Sequence, residues 1–203
     1  QYQAQLDQLA GNLITAFQET DQSTTNTGLP ALPGLFTTSG ATSVPSSSNW
    51  TGLANTISVN ANVDPAQGGD ATLLRDGGIS DPTSGDYTYN TTGAASYGGR
   101  LQQLQTALRT PMSFVSAAGL QTSGTLSDYA QSSVSWLQSA NQQASANATY
   151  QSSLATQATT ALSNATGVNL DAELTHMLSI ESSYTASAKL MTTVNSMLNT
   201  LLN

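Results

Sequence analysis

The chain has 203 residues, with 12 Asp or Glu against 4 Lys or Arg, one His and no Cys, and so a formal charge of -8. Four scattered positive charges cannot build the cationic surface that displaces counterions from nucleic acid or holds an anionic membrane. Without Cys there is no disulfide framework, no thiolate nucleophile and no sulfur-ligated zinc site.

Charged residues make up only 8% of the chain, while Ser and Thr number 56 and Asn and Gln 31, so 87 residues are neutral and polar. Ordinary soluble domains are ~25% charged. A surface kept soluble by hydroxyls and amides suits bacterial surface and appendage proteins better than a cytoplasmic enzyme. Hydrophobic residues, at 38%, suffice for one core or an extended bundle. The expected fold is mainly α, with long helices in an elongated bundle or coiled coil and a small irregular middle segment containing short strands.

The chain opens in helical phase. Tyr2, Leu6, Leu9, Leu13 and Phe17 recur at spacings of four, three, four and four, which places them on one face. Such an opening, with neither a basic nor an apolar leader, reads as the interior of a longer protein whose N-terminal part precedes Gln1. Residues 1–22 are therefore assigned to a helix.

Residues 23–99 read as an irregular segment with short strands and turns. From Asp21 to Gly34 the composition is that of a loop, with Pro30 and Pro33. Ala54 to Val63 alternates, with Ile57, Val59, Ala61 and Val63 on one side, and predicts a half-buried strand ended by Asp64-Pro65. A short helix is expected over Ala71–Arg75, capped by Asp70 and stopped by Gly77 and Gly78. A brief extended piece is expected at Tyr87–Tyr89.

Residues 100–166 read as helical. Leu101, Leu104 and Leu108 form one apolar stripe before Pro111, which restricts Thr110 and kinks or ends the element. A long Ala-, Ser- and Gln-rich helix then runs from Ser127 to about Asn164.

The last segment, 167–203, is the sharpest signal. Leu170, Leu174, Met177, Glu181, Tyr184, Ala188, Met191, Asn195, Leu198 and Leu202 follow one another at alternating spacings of four and three. That is a heptad seam, flanked by Ile180, Val194 and Leu201. No Gly or Pro interrupts Val168 to Asn203, so one helix of ~50 Å is predicted. A helix with so wide an apolar face needs a partner: an earlier helix folded back, another segment, or another subunit. Glu181 and Asn195 lower stability within the seam while fixing register.

Catalytic readings are weak. His176 stands one turn from Glu173, yet a heptad helix offers neither a nucleophile nor a concave pocket, so no catalytic residue is assigned. Asp70, Asp76, Asp81 and Asp86 lack the spacing of a calcium loop and are read as turn and cap residues. No phosphate loop or nucleophile elbow is present. Asn49, Asn90, Asn147 and Asn164 begin glycosylation-like triplets, which a chain this rich in Asn, Ser and Thr produces by chance. No cofactor and no metal is expected.

Gly167-Val168-Asn169-Leu170-Asp171, leading into Tyr184, Ala186, Ala188 and Lys189 and ending in Leu201-Leu202, closely resembles the C-terminus of the flagellar hook-associated proteins of the hook–filament junction, the FlgK family. Ala172 stands where that family usually has an acid. "LDQLAGNLITAFQETDQ", Leu6 to Gln22, resembles a family helix, with Gln18 for the usual Asn, and "ISVNANV", Ile57 to Val63, a family strand, with Ala61 for Pro.

The resemblance implies a structural, non-enzymatic subunit that adapts hook to filament by self-assembly, secreted by type III export to the extracellular flagellum. Its implied partners are copies of itself, the hook protein, the second junction protein, an export chaperone, and the N-terminal helices of the same protein. Residues 167–203 would form a coiled-coil helix of the axial core. Another flagellar axial protein, such as flagellin or the second junction protein, or a secreted helical binding module or effector, stands as the alternative.

Overall fold

A computed structural model describes residues 1–39 and 41–202. It is mainly α, with two pairs of very short strands. The chain divides into two compact units, Gln1–Gln142 and Gln143–Asn203.

In the first unit, α1 spans Tyr2–Ala16, ending earlier than the sequence pattern suggests. Beyond Phe17 the backbone leaves the helix, and Glu19 pairs with Leu32 in an isolated antiparallel bridge. The apolar row is only partly enclosed. Tyr2, Leu6, Leu9, Leu13 and Phe17 are all half-buried, whereas Gln5, Asp7, Gln8, Ala10, Gly11, Asn12 and Ile14 are enclosed.

The reason lies in where loop backbones find partners. The Asp7 carboxylate, 4% exposed, accepts the amides of Gly52 and Ala54 at 2.9 Å each. Gln8 Oε1 accepts from Val115 N at 3.0 Å, and Asn12 Nδ2 donates to the Ser113 carbonyl at 3.2 Å. Gln5 Nε2 donates to the Ala118 carbonyl at 3.1 Å while its Oε1 accepts from Ser133 Oγ at 2.8 Å. Loops cannot be buried with unpaired amides and carbonyls, so they wrap the polar side of α1, which supplies the partners. Gly11 lies under the Trp50 indole, and a Cβ there would overlap the ring.

Two apolar clusters flank the helix. Ala10, Ile14, Trp50 and Leu53 form one, with Phe36 and Ile57 against it. Phe114, Ala118 and Tyr129 form the other, with Ala4 and Leu9 against it. The Phe114 and Tyr129 rings stack with centroids 3.8 Å apart.

The predicted strand over Ala54–Val63 shrinks to β2, Ile57–Val59, which pairs antiparallel with β1, Phe36–Thr38, in the register Phe36↔Val59. Leu53–Asn55 forms a 3₁₀ turn, held by Asp7. The short helix α2 is Leu73–Asp76, two residues later than expected at its start, and Asp70 accepts the amide of Thr72 just ahead of it. Gly77, at φ 86°, turns the chain out of α2, and its position leaves no room for a Cβ against the Tyr87 carbonyl and the Tyr89 ring. Tyr87 itself closes a 3₁₀ turn, Gly85–Tyr87, rather than a strand, and only Thr88 bridges to Gly77.

The next helix, α3, spans Gly99–Arg109 and ends as Pro111 requires, with Thr110 extended at ψ 132°. Of its predicted stripe only Leu104 is buried, while Leu101 and Leu108 are exposed. The strands β3, Met112–Ser113, and β4, Ser123–Gly124, form the second antiparallel pair. Helix α4, Leu126–Thr166, starts on a reciprocal cap between Thr125 and Asp128.

The second unit holds the C-terminal part of α4 and helix α5, Leu170–Leu201. Ser and Thr are indifferent helix formers because their hydroxyls compete for the backbone. Here the competition is settled locally, since Thr149, Thr156, Thr175, Thr185, Thr192 and Thr200 each donate to the carbonyl four residues earlier.

Candidate assembly surface

The turn between α4 and α5 is built by Gly167-Val168-Asn169. Gly167 N donates to the Ser163 carbonyl at 2.6 Å, and a Cβ at Gly167 would press on that same carbonyl. Asn169 then caps α5, its Oδ1 accepting from Asp171 N at 3.1 Å and Ala172 N at 3.2 Å. Asp171 and Glu173 occupy the first turn, where the free amides and the helix dipole favour negative charge. The Gly-Val-Asn-Leu-Asp run thus stops one helix and starts the next.

From Leu170 the seam runs down α5 without interruption, with Leu202 as the residue that follows the helix. Asn203, the last residue of the predicted segment, lies outside the described residues. A helix of 32 residues is ~48 Å long at 1.5 Å per residue. Leu174 is 56% exposed and Tyr184 79%, and Leu170, Met177, Ala188, Met191, Leu198 and Leu202 are exposed as well. The apolar seam residues from Leu170 to Leu198 therefore sit on one helix, exposed to solvent, with Leu202 just beyond its end. The polar seam residues Glu181 and Asn195 are exposed too.

His176 and Glu173 are both exposed on α5, in no enclosing pocket. Asp70, Asp76 and Asp81 serve turns: Asp81 binds Thr83, and Asp76 holds Arg75 in a two-pronged pair and accepts from Asn90 at 2.6 Å. These hydrogen bonds hold the three carboxyls below the usual carboxylate range. Among the described residues no group of three His, Asp or Glu could hold a metal, and no helix is long and apolar enough to cross a membrane.

Sequence reasoning missed the residues that organise the first unit. Asp7, Gln8 and Asn12 received no role, and their one signal was Gly11 among them, over which the Trp50 indole lies. It also missed Glu19, fully buried, whose carboxylate accepts from Ile79 N at 3.1 Å and Ser80 N at 3.0 Å. Burial raises its pKa, opposed by those two amides and by the positive charge of Arg100. Arg100 donates to the Gln18 carbonyl at 2.6 Å and lies 4.2 Å from the Tyr89 ring centre.

Residues 161–203, which hold the turn and all of the described α5, match the family model of the flagellar basal body rod FlgEFG protein C-terminal region. The match supports a flagellar structural protein of the rod or hook type, a family of structural components rather than enzymes. No curated protein and no solved structure matches the chain.

Proposed function

We propose that this chain is the C-terminal portion of a junction subunit between hook and filament, working by self-assembly through helical faces. The observation that carries the reading is the bare seam of α5, Leu170 to Leu202, inside a segment that matches flagellar rod and hook proteins. The apolar seam drives association and its two polar positions, Glu181 and Asn195, fix register. Its partners in this reading are copies of itself, the N-terminal helix of the same protein, the hook protein and the second junction protein, with a chaperone during type III export.

Deleting residues 168–203 from the protein in its bacterium should leave hooks of normal length without filaments. Unchanged filaments would overturn the flagellar reading. The rod match favours a second reading, in which the protein belongs to rod or hook itself. The same deletion then removes the hooks as well, so electron microscopy of the basal bodies separates the two.

A further inference from the structure

The two tryptophans of the chain are held in different ways. Trp50 is 7% exposed, and its indole N–H donates to the Pro45 carbonyl at 3.0 Å. Trp136, on the part of α4 that belongs to the first unit, is half-buried, and its N–H has no hydrogen-bond partner among the described residues. The ring is nevertheless fixed, because the Tyr2 ring lies nearly parallel to it with centroids 6.5 Å apart. Trp136 lines an open groove of about 660 Å³, whose other wall is Leu120 and Gln121. That volume falls within the ~300–1,000 Å³ of small-molecule sites. Leu120 packs on the cluster of Phe114, Ala118 and Tyr129, so this wall is anchored in the core.

Ser132, Ser135 and Ser139 line the groove beside Trp136, and their spacings of three and four put them on one side of α4. Further along the same helix, the hydroxyls of Thr149, Thr156 and Thr160 are bonded to carbonyls of the helix itself. Those of Ser132, Ser135 and Ser139, like the amide of Gln121, bond to nothing among the described residues. Asp128, also in the lining, receives the Thr125 hydroxyl on Oδ2 at 2.7 Å, and its Oδ1 has no such partner. It is the only charged residue between Arg109 and Asp171.

This lining selects by chemistry. An anion would find a carboxylate and no counter-charge. A cation would find a single carboxylate, already bonded on one oxygen. An apolar molecule would strip water from the hydroxyls, the amide and Asp128 without replacing it. A neutral ring bearing many hydroxyls suits both halves of the lining. Its C–H face covers the apolar surface of Trp136 and Leu120, while its hydroxyls donate to Asp128 and exchange hydrogen bonds with the serines, which donate and accept alike. We infer that the groove beside Trp136 binds a neutral saccharide. The inference stands apart from the self-assembly reading.

The test is an NMR titration of the 203-residue chain with glucose, galactose, mannose and N-acetylglucosamine, each added separately to high millimolar concentration. At least one sugar should shift the Trp136 indole N–H and the amides of Ser132 to Ser139 saturably, and leave the Trp50 indole in place. Trp136→Ala, read from the serine amides, should weaken that binding about tenfold by loss of the aromatic surface. Ser135→Ala removes one exposed hydroxyl and favours helix. It should weaken binding about threefold, with circular dichroism verifying unchanged helix content. Shifts centred on Trp50 rather than Trp136, binding that Ser135→Ala leaves unchanged, or no shift with any of these sugars overturns the inference. None of these results bears on the assembly reading, which the deletion of residues 168–203 tests.

Discussion

Helices α1 and α5 show the same apolar spacing in sequence, fours alternating with threes, and end in opposite surroundings. On α1 the chain encloses the polar side and leaves the apolar row half-buried. On α5 it encloses nothing, and every described residue is exposed. The difference lies in what the polar residues can reach. Gln5, Asp7, Gln8 and Asn12 each bond the backbone of a distant loop. Thr175, Thr185, Thr192 and Thr200 of α5 instead donate to carbonyls of their own helix. Apolar periodicity says that a face needs a partner, and side chains able to satisfy loop backbone decide which face the same chain covers.

The sharpest way to break this contrast is to remove the reach. Asp7→Ala leaves the amides of Gly52 and Ala54 without their acceptor, and frees the turn that carries Leu53 beneath α1. Losing a charged acceptor from a site this buried should cost about 3 kcal/mol, read by urea unfolding of the 203-residue chain. Asp7→Asn, which keeps one acceptor oxygen, should fall between. A cost under about 0.5 kcal/mol, the range of ordinary surface changes, would mean that the apolar clusters alone position the loops.

Glu19 sharpens the contrast through pH. Burial raises its pKa above 4.5, so between that value and the raised one the native state holds a proton that the unfolded chain has lost. Its contribution is therefore most favourable below pH 4.5 and declines as pH rises through the folded-state value. The turn carboxylates Asp21, Asp64, Asp70, Asp76 and Asp81 have lowered values and act oppositely, losing their contribution as pH falls below 3.8. The two windows lie on either side of pH 4. Glu19→Gln should remove the downward step in stability above pH 4.5 and leave the acid limb below it in place. Persistence of the step would show that another group carries it.

How much of this was legible follows from the same physics. The long helices and the break at Pro111 rest on local rules, and the structure has an element at each of these places. The identity of the buried face of α1 depends on segments 45 to 113 residues away in sequence, and no local pattern encodes which of them will need an acceptor. The β1–β2 pair was half visible for a similar reason. Ile57 and Val59 alternate as a strand should, but Phe36–Thr38 reads only as Ser- and Thr-rich coil until its partner is known. In the second unit the long helix was legible because no Gly or Pro interrupts it.

The smallest predicted effect is the most demanding of the comparison. If α5 gains nothing from its own chain, Leu174→Gln should leave the unfolding of the first unit unchanged within about 0.5 kcal/mol in a monomeric sample. The same kind of loss at Ile14, which is fully buried, should cost about 2–5 kcal/mol as Ile14→Ala. Amide exchange gives the matching local reading, because a lone helix draws its stability from packing on a partner. Amides from Leu174 to Leu201 should then exchange far faster in a dilute monomer than those of α1. Protection of α5 equal to that of α1, or a large cost for Leu174→Gln without any association, would mean that α5 already has a partner within the chain, and its seam would be core rather than assembly surface.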